Sequence, residues 1–348
     1  MDSTIEVQGK QLKLSNLDKV LYPATGFTKQ QIIDYYVRIA PAMVPHLSGR
    51  ALTRKRYPNG VDEEFFYEKN APQHRPDWVK TAPIWSEGNR RTVHYILAND
   101  LATLVWLANL AAIELHPSLA LASDITCPTM MVFDLDPGPP ADIVQCCQVG
   151  LWLREIFEHF ALQSFPKTSG SKGLQIYVPL NTPVKYEQTK PFAHALAQLL
   201  EHDHPQMVVS DMKKKMRTGK VFVDWSQNDE HKTTVAVYSL RARERPTVST
   251  PVSWEEVERT FKKKDAKLLV FEAKQVVSRV EKIGDLFAPT LELKQRLPDL
   301  KKIAAAAVSG EEPISIAAQA EEEPKPVRRR GAKKIAATAA ARKIKRRV

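Results

Sequence analysis

The feature that most constrains this chain is the run Met130-Met131-Val132-Phe133-Asp134-Leu135-Asp136-Pro137-Gly138. A short apolar run that ends at a Pro-Gly turn signal is typical of a buried strand. Strand side chains alternate between two faces. Asp134 and Asp136 are therefore expected to share one face, with Phe133 and Leu135 on the other.

Two neighbouring carboxylates repel each other, and burial makes each of them harder to ionise. A divalent cation relieves this conflict, because Mg²⁺ and Mn²⁺ prefer carboxylate oxygens and leave room for substrate phosphates. The alternative is an ordinary junction between a strand and a turn, at which the aspartates cap the turn. Asp134 and Asp136 alone support the two interpretations equally.

A helix start is predicted at Thr28, which suits an N-cap and precedes a periodic apolar face. Lys29 would lie in the first turn, where a cation is unfavourable against the helix dipole. Its position makes sense if an anion such as phosphate binds there. The local sequence alone favours the alternative, a lysine that faces water.

Basic residues alternate with aromatic ones between Arg50 and Asn70. Such a surface suits phosphate binding and base stacking, although a pattern of core aromatics and solvated cations fits equally well. Further along, residues 101–115 are expected to form a mostly buried helix that His116-Pro117 ends. Taken alone, His116 would be a capping or core histidine.

Small residues and one lysine form the stretch Thr168-Ser169-Gly170-Ser171-Lys172-Gly173, which leads into a predicted strand. Such a loop brings backbone N–H groups close to an oxyanion and adds Lys172 as a point charge. It lacks the spacing of a P-loop and is a weak signal alone. Another apolar strand, Val221 to Trp225, carries Asp224 near its end.

Taken together, these parts predict metal-assisted phosphoryl transfer. The carboxylates would hold two metal ions about 3.5–4 Å apart, while lysines and arginines hold the remaining phosphates. No histidine is placed against a serine or cysteine in a pattern that indicates a nucleophilic triad.

Composition excludes several other classes of protein. No run reaches the roughly 18 uncharged apolar residues that a membrane span needs, and the acidic, polar N-terminus is not a secretory signal. The three cysteines form neither a disulfide framework nor a zinc motif. We therefore expect a protein of the reducing cytoplasm with no membrane partner.

The net charge of +11 is concentrated at the C-terminus. Eleven lysines and arginines and no acidic residue follow Glu323, which leaves 40 basic residues against 40 acidic ones in the rest of the chain. A nucleic-acid surface on the body must therefore be a local patch. The Ala-, Glu-, Pro- and Lys-rich composition from Lys301 onward predicts disorder.

The motifs, taken in order, resemble the polymerase domain of bacterial DNA ligase D, a member of the archaeo-eukaryotic primase superfamily. The resemblance covers roughly Val7 to Pro289. It is carried by the segments 16–19, 65–72, 106–109, 113–117, 132–138, 168–173, 223–224 and 238–243. Several motifs in the same order are far more specific than any one of them.

The resemblance implies an α/β fold: a primase-type catalytic core with mixed sheets flanked by helices over residues 1–295, then a linker and disordered basic tail over 296–348. It also implies a template-dependent, DNA-directed nucleotidyltransferase. Such an enzyme extends primer 3′-ends and fills gaps at DNA breaks, often with ribonucleotides, during non-homologous end joining. The implied cofactors are two Mn²⁺ or Mg²⁺ ions, with an NTP or dNTP as substrate. Broken or gapped DNA is the implied partner, and Ku and a separate DNA ligase are candidate protein partners.

The resemblance also assigns roles by position. The metal ligands and catalytic residues would be Asp134, Asp136 and Asp224. The incoming triphosphate would contact Ser169, Lys172, Arg241, His116, Lys55 and Lys69. The 5′-phosphate of the downstream strand would be bound by Asn16, Lys19 and Lys29. The residues that stack on a template base would be Phe66 and Tyr67.

One departure concerns Gln175, where many members carry a histidine. Glutamine can donate to a phosphate but carries no charge, so its role differs. The ligase and nuclease modules of some members are not expected, and the polymerase would stand alone with its basic tail. Two alternatives are a primase that starts chains de novo and a non-catalytic scaffold that binds DNA ends. The three aspartates argue against the scaffold, because unpaired carboxylates would be an unexplained energetic cost.

Overall fold

The computed structural model of the protein describes residues 3–299. The predicted disordered tail and its cluster of eleven cations lie outside the described residues. The predicted boundary at residue 295 therefore stays a prediction.

The described chain alternates between strands and helices. Its strands are β1 (Ser3–Val7), β2 (Lys10–Leu14), β3 (Val20–Tyr22), β4 (Phe27–Thr28), β5 (Leu52–Arg56), β6 (Phe66–Glu68), β7 (Thr81–Ser86), β8 (Arg91–Ile96), β9 (Ala112–Pro117), β10 (Met130–Pro137), β11 (Phe165–Thr168), β12 (Leu174–Pro179), β13 (Val208–Val209) and β14 (Val221–Asp224). Its helices are α1 (Lys29–Leu47), α2 (Leu101–Asn109), α3 (Ile143–His159), α4 (Tyr186–Asp203), α5 (Trp254–Lys263) and α6 (Ala273–Ile283).

Two five-stranded sheets organise the fold. In the β10 sheet the strand order is β11-β12-β10-β14-β13, and every pairing is antiparallel except the parallel pair β13–β14. In the β5 sheet the order is β6-β5-β8-β7, and β9 also pairs with β5. The predicted α/β class with mixed sheets is therefore confirmed.

Strand β10 separates two hydrophobic cores. Met131, Phe133 and Leu135 are fully buried in one core, which they share with side chains of α3 and α4. Val132 is equally buried but belongs to the other core, which is built largely from α1, α2 and the β5 sheet. This alternation confirms the predicted period of two. It places Asp134 and Asp136 on the same face as Val132, toward the β5 sheet.

Helix α1 begins as the sequence predicts. The hydroxyl of Thr28 accepts a hydrogen bond from the backbone N–H of Gln31, and the Gln31 side chain accepts one from the Thr28 N–H in return. This capping box satisfies two backbone donors that the first helical turn leaves unpaired. It also fixes Lys29 as the first residue of the helix.

The predicted helix over residues 101–115 is wrong in its second half. Helix α2 ends at Asn109, Ala111 adopts a left-handed φ of 55°, and Ala112–Pro117 forms strand β9 against β5. Where a short run is mostly apolar, periodicity cannot distinguish a strand from a helix. The correction matters because His116 lies on a strand of the β5 sheet rather than at a helix end.

No helix within residues 3–299 is both long enough and apolar enough to cross a membrane.

Candidate active site

A cavity of about 420 Å³ lies beside strand β10 and carries most of the predicted catalytic and nucleotide-binding residues. Six of them line it: Asp134, Asp136, His116, Ser169, Lys172 and Arg241. Gln175 also lines the cavity. Strands β9, β10 and β12, the loop before β12 and the segment after β14 thus bring together residues that lie far apart in the sequence.

The two aspartates of β10 form the acidic side of the cavity. Burial, the neighbouring charge of Asp136 and that of Asp224 raise the pKa of Asp134 to about 7, although a hydrogen bond from Gln175 and the charge of Lys167 oppose the rise. Burial and the charge of Asp224 also raise the pKa of Asp136. Both carboxyls therefore lie where negative charge is insufficiently compensated, as expected of a cation site.

The third predicted ligand, Asp224, ends strand β14 directly opposite Asp134 in the sheet register. Its carboxylate accepts hydrogen bonds from the Ser226 N–H at 3.1 Å, the Ser226 hydroxyl at 2.5 Å and the Gln227 amide at 2.7 Å. It therefore caps the turn that follows and is not one of the residues lining the cavity.

The donor set suits a hard divalent cation, because it consists of carboxylate oxygens with uncompensated charge. Within residues 3–299, however, no group of three His, Cys, Asp or Glu side chains is close enough to hold a metal ion as it stands. Asp134 and Asp136 line the cavity and fit the cation directly, whereas Asp224 does not line it and accepts hydrogen bonds from Ser226 and Gln227.

The loop 169–173 is the basic side of the cavity and is closed by its own hydrogen bonds. The Ser169 hydroxyl accepts from the N–H groups of Ser171 at 3.2 Å and Gly173 at 3.1 Å. The guanidinium of Arg241 donates to the Ser169 carbonyl, and that of Arg243 to the Ser171 hydroxyl. Both arginines of the 238–243 motif thus hold the loop that carries the predicted phosphate-binding lysine.

Gly170 allows this close packing. Its φ is +68°, and a Cβ there would come within 2.6 Å of the Ser249 nitrogen and the Val248 carbonyl carbon. Any larger residue would therefore push the loop away from the segment that carries Arg241.

Glu114 on β9 joins three of the predicted nucleotide contacts. Its buried carboxylate lies 3.0 Å from His116 Nε2, 3.3 Å from Arg241 Nε and 3.6 Å from Lys55 Nζ, and it also accepts from the Ala242 N–H. Burial opposes its ionisation, but the His116 hydrogen bond and the charges of Arg241, His116 and Lys55 outweigh burial and hold the pKa of Glu114 well below its usual range. Burial lowers the pKa of His116.

The remaining predicted nucleotide and template contacts lie on the β5 sheet. The Lys55 amine lies 4.2 Å from the ring centroid of Phe65. Lys69 follows β6 and is half-buried. Phe66 and Tyr67 are 53% and 55% exposed, which leaves both rings free to stack on a base. The Tyr67 hydroxyl is 3.5 Å from that of Thr233, a residue of the cavity wall.

The predicted 5′-phosphate contacts are also close to one another. Asn16 adopts a left-handed φ of 53°, and its carbonyl accepts from the Lys19 N–H, while the Lys19 carbonyl accepts from the Lys29 N–H at 2.8 Å. The Lys19 amine donates to Asn59 at the surface. Lys29 is buried, and its amine donates to the Ser15 carbonyl at 2.7 Å. The lysine at the helix start therefore does not simply face water.

Sequence reasoning missed the roles of four residues that contact this site: Glu114, Lys167, Arg217 and Arg243. Glu114 belongs to the segment 113–117 that carries the resemblance, and Arg217 ends a cluster of cations that begins at Lys213. Neither pattern indicates which other side chains these two residues contact. Lys167 directly precedes the loop 168–173 and has no sequence signal that separates it from a surface lysine.

Known proteins resemble this chain in sequence and in structure. The family described as "LigD, primase-polymerase domain" matches residues 28–287. The multifunctional non-homologous end joining protein LigD of Mycolicibacterium smegmatis is 42% identical over 282 residues, which are 80% of this chain and 36% of that protein. The bifunctional LigD of Bacillus subtilis is 32% identical over 274 residues, or 78% of this chain and 43% of that protein.

A solved structure agrees with these sequence matches. The polymerase domain of Mycobacterium tuberculosis ligase D, in complex with DNA, is 39% identical, and the match has a TM-score of 0.75. It covers 80% of this chain and 98% of that one, whereas the chain spans well under half the length of the curated relatives. The chain therefore belongs to the LigD primase-polymerase family of DNA-directed nucleotidyltransferases.

Proposed function

We propose that the protein extends primer 3′-ends on a DNA template and fills gaps at broken DNA ends during non-homologous end joining. The observation that carries this proposal is that the carboxylate pair of β10 and the cations of the 169–173 loop and the 238–243 motif line the same cavity. Nucleotidyl transfer needs this pairing, because a primer hydroxyl that must become more nucleophilic attacks the α-phosphate of an anionic triphosphate, and pyrophosphate leaves.

Triphosphate binding is assigned to the basic side of the cavity. Lys172 offers a flexible point charge, whereas Arg241 is held in place by Ser169 and Glu114. His116 and Lys55 share that glutamate, so the three side chains keep a common geometry before the nucleotide arrives. Phosphate oxygens would then meet donors that are already oriented, which lowers the entropic cost of binding.

Metal binding is assigned to Asp134 and Asp136, with Asp224 as third ligand once it turns from Ser226. Two Mn²⁺ or Mg²⁺ ions bound there would supply charge neutralisation for the phosphates and activation of the primer hydroxyl. The raised pKa values of Asp134 and Asp136 support this assignment, since they mark excess negative charge in the protein alone.

DNA binding is assigned to surfaces outside the cavity. Phe66 and Tyr67 would stack on a template base, and Asn16, Lys19 and Lys29 would bind the 5′-phosphate of the downstream strand. The backbone hydrogen bonds that join residues 16, 19 and 29 support the second assignment. The tail after Glu323 would add sequence-independent affinity. We extend the proposal to Ku and a DNA ligase as partners, at chromosomal DNA in the nucleoid.

Primer extension tests the proposed function. The full chain is given a gapped duplex with a 5′-phosphate, an NTP or dNTP, and Mn²⁺ or Mg²⁺. Wild type should extend the primer, while Asp136→Asn should show no extension yet bind the duplex with nearly unchanged affinity, because cations dominate DNA affinity. Asp203→Asn, at the exposed end of α4, is the matched control and should behave like wild type.

Two outcomes would contradict the proposal. Full extension by Asp136→Asn would remove the carboxylate pair from the chemistry. Efficient synthesis on an unprimed single strand, in preference to the gapped duplex, would favour the de novo primase instead.

A further inference from the structure

Four polar side chains cross the β10 sheet in one continuous row. Asp134 on β10 lies opposite Asp224 on β14 and, on its other side, opposite Gln175 on β12; Gln175 in turn lies opposite Lys167 on β11. Side chains directly opposite each other in a sheet share one face and contact their neighbours. The row therefore links the acidic side of the cavity to a lysine two strands away.

Lys167 is buried in a way that its structural surroundings alone do not explain. Its side chain is 1% exposed, and its amine donates to Gln175 Oε1 at 2.5 Å and to the Ser249 hydroxyl at 2.6 Å. These acceptors are neutral, and burying an amine against neutral groups is energetically unfavourable. Burial lowers the pKa of Lys167 well below its usual range, and the charge that opposes this shift is that of Asp134, from across the intervening glutamine.

The contact with Lys167 fixes the orientation of the Gln175 amide. The Lys167 amine donates to the amide oxygen of Gln175 at 2.5 Å, so the oxygen end of the amide faces the lysine. The nitrogen end then points away from Lys167, toward Asp134, which lies opposite Gln175 on β10, and the Gln175 side chain opposes the rise in the pKa of Asp134. A flipped amide would lose the Lys167 hydrogen bond and would place the amide oxygen against the Asp134 carboxylate.

We propose that Lys167 is a positioning residue that anchors the oxygen end of the Gln175 amide, so that its N–H group holds the Asp134 carboxylate in the orientation that receives a divalent cation. The inference rests on the proposed function, in which Asp134 is a metal ligand. It gives the uncharged glutamine a defined role: Gln175 transmits the fixed position of a buried amine to a ligand of the metal. Partners behind a metal ligand commonly control affinity in this way.

The test measures Mn²⁺ binding to the full chain, without DNA or nucleotide, from the electron paramagnetic resonance signal of free Mn²⁺. Wild type is compared with Lys167→Met, Gln175→Leu and the double variant, and Asp134→Ala identifies binding at the proposed site. Each single variant should weaken the Asp134-dependent binding about tenfold. The double variant should be no weaker than the weaker single one, because both remove the same linkage.

Ser249→Ala is the matched control. It removes the other acceptor of Lys167 but leaves the Gln175 contact, so Mn²⁺ affinity should stay within about twofold of wild type. Binding of gapped DNA with a 5′-phosphate should be unchanged in all variants, and thermal melting verifies that each is folded. If Lys167→Met does not fold, Gln175→Leu still decides against the role when it binds Mn²⁺ as tightly as wild type, because the linkage from Lys167 to Asp134 passes through this glutamine.

The outcomes separate two failures. If wild type binds Mn²⁺ through Asp134 and Gln175→Leu binds it equally well, the positioning role is overturned while the metal site stands. Additive losses in the double variant would also overturn the role, because they would show two independent effects. If wild-type binding does not depend on Asp134, the metal assignment and the positioning role both fail.

Discussion

Replacing Asp134 by asparagine should stabilise the metal-free protein at alkaline pH, although it removes a proposed catalytic group. Asparagine has the shape of a protonated aspartate and cannot ionise. Burial and the charges of Asp136 and Asp224 disfavour the ionised form of Asp134 in the folded state. Asp134→Asn therefore removes a repulsion that the wild-type protein carries without a cation.

The size and sign of the effect follow from the pKa of Asp134. A rise from an ordinary value of 3.8 to about 7 corresponds to a penalty on the order of 4 kcal/mol when the group is ionised in both states. The Asp134 side chain is only partly buried, so solvent screens its charge. We therefore expect the free energies of unfolding of Asp134→Asn and wild type to differ by on the order of 2 kcal/mol. Because the folded-state pKa is raised, stability is highest below the unfolded pKa and falls as pH rises from about 4 to about 7.

The assay is urea unfolding in a chelator, for wild type and Asp134→Asn, at about pH 5 and about pH 8.5. The variant should have the larger free energy of unfolding at the higher pH, and the difference should shrink at the lower pH. Added Mn²⁺ should stabilise wild type and have little effect on the variant. Equal stabilities at the higher pH, or a variant less stable than wild type there, would refute the account of the carboxylate cluster.

Four further expectations concern the cations. Glu114→Gln should raise the nucleotide KM about fivefold or more, because Arg241, Lys55 and His116 lose a shared charged anchor; an unchanged or lower KM would contradict this. Lys172→Ala should raise the nucleotide KM, measured by steady-state kinetics, more than it weakens DNA binding, measured by a DNA titration. Weaker DNA binding with an unchanged KM would contradict the assignment. Lys19→Ala with Lys29→Ala should abolish an approximately tenfold preference for 5′-phosphate over 5′-hydroxyl gaps. Deletion of 324–348 should keep that preference with weaker, less salt-dependent binding; if the deletion erases it, the tail recognises the end.

Local rules were sufficient to predict strand β10 and the start of helix α1. The alternation of Phe133 and Asp134 depends only on the two-residue period of a strand, and the N-cap at Thr28 depends on side-chain chemistry within one turn. The sheet order, by contrast, brings β14 beside β10 across a separation of many residues. The period of two predicts which face Asp224 takes but not which strand lies opposite.

The failures have equally specific causes. The stretch 101–115 is mostly apolar, with Thr103, Asn109 and Glu114 as its polar residues, so it lacks the contrast between faces that distinguishes a helix from a strand. The left-handed residue between helix and strand is Ala111, and no glycine at that position indicates a break in the helix. The buried state of Lys167 could not be predicted either, because lysines are almost always exposed. Its burial depends on Gln175 and Ser249, which come from separate parts of the chain.

The basic and acidic sides of the cavity differ in how far the protein neutralises their charges, and this difference couples the binding of metal to that of nucleotide. On the basic side, Glu114 already neutralises part of the charge of Lys55 and Arg241. On the acidic side, no cation offsets Asp134 and Asp136 enough to keep their pKa values at ordinary levels. A triphosphate entering alone would add negative charge beside these carboxylates, whereas one entering with a divalent cation would not. Metal and nucleotide binding should therefore be thermodynamically coupled, each increasing the affinity for the other by the same factor.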